Sequence, residues 1–245
     1  FSVMITASHN PFFDNGLKFF SNQGYKISTE DENKIEDYFF NYNFDNYKIK
    51  HSNYGKAVRL NDAMGRYSEV LKRSADRDLD YSKIKVTLDC ANGAAYKVAP
   101  EVLFEMGVDL HTIADKPSGT NINDRCGSLF PNKASQVVKK KKCNIGICLD
   151  GDGDRVVLID EKGDELKGEE LIFIFANYYL KNKSLKKRSK IVTNEIANFG
   201  LDIALNKLGL KLIRVKVGDK NILQEIQKNK HLFGGEPSGH FIFRD

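Results

Sequence analysis

Residues 145–155 read IGICLDGDGDR, an apolar run that stops at Asp150 and opens into three carboxylates spaced two residues apart. Five apolar residues bounded by Asn144 and Asp150 describe a short buried strand. A second such run, VVLID at 156–160, follows at once, and residues 161–164 turn the chain around Gly163. Upstream, Ile84, Val86 and Leu88 alternate in a strand that ends at Asp89, and residues 90–94 (CANGA) make a turn. Tyr96, Ala99, Val102, Leu103 and Met106 then share one helical face, closed by Gly107, before another strand at 108–113. Downstream, the pattern predicts helices at 168–181, 199–208 and 221–228, with strands at 190–193 and 211–217. Strands alternating with helices of this length predict an α/β chain of successive layered domains on mixed, largely parallel sheets. No short-period sequence repeat accompanies the alternation.

Toward the N-terminus the signals are local. Thr29 and Glu32 form a capping box ahead of Ile35, Tyr38, Phe39 and Tyr42, which recur at helical spacing. Residues 43–60 are polar and aromatic without a period and read as a connection or domain boundary. Asn61 caps a second helix carrying Met64, Tyr67 and Leu71. Phe1 stands already within a strand, and Arg244 and Asp245 follow the apolar run 241–243 with no closing element, so both ends read as cuts.

Composition removes several classes. The 245 residues are 41% hydrophobic and 29% charged, the balance of a water-exposed globular chain with a substantial core. No stretch reaches the roughly 18–20 apolar residues of a membrane span, and no signal peptide is in view. The net charge of +5 is mild, and its one dense run, four lysines at 139–142, suits a solvated helix end better than a nucleic-acid patch. Four cysteines, Cys90, Cys126, Cys143 and Cys148, lack zinc spacing and are too sparse for a disulfide scaffold, which favours a reducing cytoplasm.

The DGDGDR stretch is where chemistry concentrates. Carboxylates at Asp150, Asp152 and Asp154, separated by glycines, can converge on one hard cation, and their mutual repulsion calls for a positive partner. They also sit at the C-terminal end of a buried strand, where open α/β sheets bind ligands. An EF-hand would add Glu161, yet its sixth position requires glycine and holds Arg155, and strands rather than helices flank the loop. A dehalogenase-type phosphatase would make Asp150 the nucleophile and leave Ser8 without a part.

Ser8 lies in TASHNP at 6–11, either a Ser/Asn/Pro turn or a nucleophile exposed at a strand end; serine needs a base or an attached phosphate to act. Lys18, in DNGLKFF, is a cation that could neutralise a phosphate or carry a proton. In GGEPSGH at 234–240, Glu236 and Ser238 can hydrogen-bond vicinal hydroxyls, while His240 is either a structural histidine or part of a site. Residues 119–128 (GTNINDRCGS) and 215–220 (VKVGDK) pass as plain surface loops.

In this order along one chain, TASHNP, DGDGDR and GEPSGH closely resemble the α-D-phosphohexomutase superfamily. DCANGAAY at 89–96, PSGTNINDRCGS at 117–128 and VGDK at 217–220 look like its bacterial phosphoglucosamine mutase branch. The resemblance implies four domains around a cleft, the first three related α/β units. Residues 1–60 would end the first domain, 61–164 would form the second and 165–245 most of the third, with the fourth outside this sequence. It implies a phosphoserine at Ser8 with His9 and Lys18 beside it, Mg²⁺ on Asp150, Asp152, Asp154 and a phosphate oxygen on Ser8, and Arg155 near that phosphate. Glu236 and Ser238, with His240 beside them, would meet the sugar. The implied partners are a phosphosugar, glucosamine phosphate, and a bisphosphate intermediate, in a cytoplasmic protein that could pair as a homodimer. Pro237 and Lys220 depart from the Gln and Arg that relatives often carry there.

Overall fold

The structure, a computed structural model, describes residues 1–42 and 55–244. Most of the segment read as a connection, residues 43–54, therefore lies outside the described residues. The chain divides into two compact units, one comprising Phe1–Thr6 with Gly16–Ser74, the other Ala7–Asn15 with Ala75–Asp245.

In the first unit β1 (Ser2–Thr6) and β2 (Gly16–Phe20) pair antiparallel, with Met4 opposite Lys18. The cap of helix α1 (Thr29–Asn41) lies one residue before the expected one: Ser28 is the N-cap, accepting from Asp31 N at 3.1 Å and donating to Asp31 Oδ2 at 2.8 Å. Thr29 is thereby the first helical residue. Ser28 thus caps one position earlier than Thr29 would, with Asp31 accepting from its hydroxyl and not from its backbone N–H as in a capping box. Helix α2 (Ala63–Ser74) starts two residues after Asn61, its first turn closed by Arg66 N donating to Asp62 O at 3.1 Å.

The second unit holds two sheets. In the first, β3 (Lys85–Asp89), β4 (Asp109–Ile113), β5 (Ile145–Leu149), β6 (Val156–Ile159) and β7 (Glu165–Leu166) stand in the order β4-β3-β5-β6-β7. β3 is parallel to β4 and β5, whereas β6 and β7 continue antiparallel. Helix α3 (Val98–Glu105) packs on β4, and α4 (Asn132–Lys141) on β3 and β5. The lysine run 139–142 is the last turn and C-cap of α4, where cations meet the negative end of the helix dipole. On the opposite face of that helix, Ala134 and Val138 bury against Cys148 and Ile159.

The second sheet repeats the first. β8 (Lys190–Asn194), β9 (Lys211–Val215), β10 (Phe233–Gly235) and β11 (Phe241–Phe243) stand in the order β9-β8-β10-β11, the first three parallel and the fourth antiparallel. Consecutive side chains of β8 point to opposite faces. Ile191 joins Ile172 and Ala176 of α5 (Gly168–Lys181) and Leu201 and Leu205 of α6 (Phe199–Lys207), while Val192 joins Ile222 and Ile226 of α7 (Asp219–Asn229). Helices thus cover both faces, which is why the consecutive residues Ile191 and Val192 are both apolar and both buried.

Both sheets follow one winding, second strand, first, third, then an antiparallel fourth. The loop from third to fourth strand is residues 150–155 in one sheet and 236–240 in the other. The antiparallel pair β1–β2 carries the TASHNP motif in the corresponding connection, residues 7–15. A repeat without sequence signal at short period is therefore present in the topology, and each of the three motifs occupies the same type of hairpin loop.

Candidate functional site

Asp150 follows directly from the end of β5, and the loop it opens is pinned by its own backbone. Asp150 Oδ1 accepts from Arg155 N at 3.1 Å, and Gly153 N donates to Asp150 O at 3.1 Å. This closure turns the three carboxylates inward, with ligand oxygens of Asp150, Asp152 and Asp154 all within 4.8 Å of one another. Among the described residues they are the group able to converge on a metal ion.

The electrostatics fit such an ion. Asp150 is buried, and its Oδ2 has no hydrogen-bond partner. Burial, reinforced by the neighbouring Asp154 and Asp152 carboxylates, pushes its pKa up to about 7 against the single lowering effect of the Arg155 N–H. A divalent cation within the triad would satisfy Oδ2 and remove the repulsion at once. An oxygen-only donor set of this kind suits a hard cation.

The TASHNP loop belongs to the same unit. Ala7 is buried, Ser8 takes a left-handed backbone at φ 51°, and His9 Nδ1 lies 3.4 Å from Ser8 Oγ. The Ser8 carbonyl abuts Gly151 so closely that a side chain on Gly151 would collide with it. Asn123 joins them from a third loop: its Nδ2 donates to Ser8 O at 2.9 Å and to Asn10 O at 2.8 Å. The serine motif and the aspartate motif, 142 residues apart between Ser8 and Asp150 (150 − 8), are thus neighbours in space.

The 236–240 loop reaches the same centre from the second sheet. Gly239, at φ 88°, brings its carbonyl to Val156 N at 3.0 Å, at the exit of the aspartate loop. The His240 ring stands between two carboxylates, Nδ1 3.9 Å from Asp154 Oδ2 and Nε2 3.7 Å from Asp219 Oδ2. Glu236 is buried and already engaged: Oε1 accepts from Asn194 Nδ2 and from Gly218 N, both at 3.1 Å, and Oε2 accepts from Ser238 Oγ at 3.2 Å. These bonds tie the 217–220 and 234–240 loops together and aim the carboxylate. Arg155 is half-buried, and its Nε has no hydrogen-bond partner. Lys18 lies on β2 of the first unit, beside a pocket of about 420 Å³ that it borders with Lys26, Glu32 and Glu36.

Sequence reasoning passed over three residues that build this arrangement. Asn123 sits in the Gly/Asn-rich loop read as plain surface; Asn194, at the end of β8, holds Glu236; and Asp89, fully buried at the end of β3, accepts from Ala91 N at 2.9 Å. The available signal was a polar residue at the C-terminal end of a buried strand, the last residue at Asp89 and Asn194 and the next one at Asp150.

Comparison with known proteins places the chain in a family. Three models of the phosphoglucomutase/phosphomannomutase family match in succession: alpha/beta/alpha domain I over residues 1–46, domain II over 65–163 and domain III over 167–245. The chain belongs to this family, the α-D-phosphohexomutases. Among its relatives is the phosphoglucosamine mutase of Geotalea uraniireducens, 48% identical over 243 residues, which cover 99% of this chain and 53% of that protein. The chain spans about half the length of the curated relatives it matches. A phosphoglucomutase/phosphomannomutase family protein from Burkholderia thailandensis superposes with a TM-score of 0.78 at 21% identity, over 99% of this chain and 51% of that one. An N-acetylphosphoglucosamine mutase from Aspergillus fumigatus, solved in complex with GlcNAc-6P and magnesium, gives 0.70 at 17% identity, over 98% and 60%. Among the described residues no helix is long and apolar enough to cross a membrane.

Proposed function

We propose that this chain carries the phosphoryl-transfer half of a phosphoglucosamine mutase, which interconverts glucosamine 6-phosphate and glucosamine 1-phosphate in the cytoplasm. The observation that carries the reading is the Ser8 carbonyl seated on Gly151, which sets the serine against the aspartate triad. Near half-identity to phosphoglucosamine mutases along almost the whole chain supports the amino sugar. Residues 1–60, 61–164 and 165–245 then correspond to the end of the first domain, the second, and most of the third.

In this reading phospho-Ser8 is the donor. The phosphorus–oxygen bond to Ser8 Oγ breaks as one forms to the free hydroxyl oxygen of the sugar, whose proton leaves to a nearby base. The resulting 1,6-bisphosphate turns over in the site, and its other phosphate returns to Ser8. Lys18 is assigned the proton transfer or the charge relief, with His9, 3.4 Å from Ser8 Oγ, as second candidate. Arg155 is assigned to the transferring group, Glu236 and Ser238 to the vicinal hydroxyls, and His240, beside Asp154, to the substrate as well. Asp150, Asp152 and Asp154 would hold Mg²⁺, the ion present in the Aspergillus complex, with a phosphate oxygen on Ser8 completing the set. Bound there it supplies positive charge to the transferring phosphoryl group and the departing serine oxygen.

A coupled assay on glucosamine, glucose and mannose 6-phosphates, using a form extended to the length of the curated relatives, tests the assignment. Glucosamine 6-phosphate should turn over at least tenfold faster than the others. Comparable rates on all three would replace the amino-sugar reading with a general phosphohexomutase.

A further inference from the structure

The loop 119–128 has no part in the reaction just described, yet it makes the link between the serine and aspartate motifs. We infer that Asn123 is a positioning residue that fixes the Ser8-bearing loop against the aspartate loop, an inference that rests on Ser8 being the phosphate carrier. Both protons of its side-chain amide are spent on that loop, one on Ser8 O and one on Asn10 O, so the backbone is gripped on either side of His9. Asn10 N in turn donates to Ala7 O at 2.8 Å, which closes the gripped segment into a turn.

The grip is itself anchored. Asn123 is buried at 8% exposure, and its own N–H donates to Ala91 O at 2.9 Å. Ala91 N is held by the fully buried Asp89 at the end of β3. A continuous path therefore runs from the rigid sheet through Ala91 and Asn123 to Ser8. Two of its members need a local justification. Asn123 has φ 57°, a left-handed backbone that asparagine tolerates better than most residues. Ser8 has φ 51°, a left-handed backbone that is strained for a serine and persists only where the surroundings over-determine it. The two amide bonds from Asn123 and the contact with Gly151 supply that determination. None of these bonds stabilises a hydrophobic core. Their effect is on where the serine stands relative to the carboxylates, and a displacement of about 1 Å can cost on the order of 10²-fold in rate.

The experiment compares N123G and N123D with the parent in the full-length enzyme. N123G keeps the left-handed backbone and deletes the amide; N123D keeps the volume and replaces the donor with an acceptor facing two carbonyls. Each should lower kcat at least tenfold while the KM for the sugar phosphate stays within threefold. Hydrogen–deuterium exchange should quicken in the 7–11 segment and stay unchanged in α3. A simple loss of stability would quicken exchange in both places and would not separate kcat from KM, and that result would overturn the inference, as would kcat within twofold and 7–11 exchange unaltered. If neither variant folds, the parent decides: the Asn123 side-chain amide protons should exchange at least tenfold more slowly than those of exposed asparagines, and equal rates would refute the grip. A parent that turns over no phosphohexose would remove the proposed function, and the 7–11 exchange alone would then decide the role of Asn123.

Discussion

Replacing Gly151 with alanine should lower both activity and stability. Gly151 does not have a left-handed backbone, so alanine brings no intrinsic strain and any effect is steric. The new methyl would overlap the Ser8 carbonyl oxygen, with Asn123 Nδ2 at 2.7 Å and Ile122 Cδ1 at 2.8 Å. Non-bonded heavy atoms prefer about 3.5 Å, so the neighbours must retreat by roughly 0.7–1 Å. Overpacking of this kind costs about 1–3 kcal/mol, which for a chain of this size lowers Tm by about 2–12 °C. The atom displaced most directly is the carbonyl of the phosphate carrier, and a shift near 1 Å costs on the order of 10²-fold in rate. Thermal melts beside a coupled mutase assay of the extended form measure both. Activity within twofold of the parent at an unchanged Tm would show that Ser8 and Gly151 do not touch in the working enzyme, and the reasoning would fail.

Other consequences are as direct. Because burial and its neighbours raise the Asp150 pKa to about 7, the metal-free protein should gain stability as pH falls from about 7 toward about 4, the span between its folded and unfolded values. Added Mg²⁺ should raise Tm by several degrees near pH 8 and little near pH 5, and an equal rise at both would count against the triad as its site. Burial pushes the Cys90 and Cys126 thiols up to about 12 and about 11, and Cys148 higher still. Their thiolate fractions near pH 8 are on the order of 10⁻³ or less, so iodoacetamide should label them only after denaturation, as mass spectrometry would record. Glu236→Gln keeps the shape but turns an amide toward one of the donors Asn194, Gly218 or Ser238. It should cost about 1–3 kcal/mol in a thermal melt and raise the sugar-phosphate KM.

The elements were legible where periodicity carried them. β5 could be read from IGICL because both faces of a parallel-type strand are covered, and α5 from its uninterrupted helical pattern. The start of α1 was misread by one residue because Ser28, Thr29, Asp31 and Glu32 offer two overlapping caps, and only the backbone geometry chooses. The aspartate loop announced itself through charge repulsion that a folded chain must resolve. Asn123 did not, since an amide that bonds carbonyls 113 and 115 residues away leaves no local pattern. Asn194 is similar: it ends β8 much as Asp150 follows β5, but a neutral side chain at that position gives no electrostatic reason to look. The repeated winding of the two sheets was expected only through the family resemblance, because it lies in strand order and not in residue identity.

The proposed phosphoryl transfer requires Ser8 to carry phosphate beside the aspartates. Incubating the full-length protein with glucosamine 1,6-bisphosphate labelled in its phosphates, followed by peptide mapping, tests it most directly. Label should reside on the peptide containing Ser8, resist hydroxylamine as a phosphate ester does, and vanish in Ser8→Ala together with turnover. Label on Asp150 as a hydroxylamine-sensitive acyl phosphate, or undiminished turnover by Ser8→Ala, would contradict it.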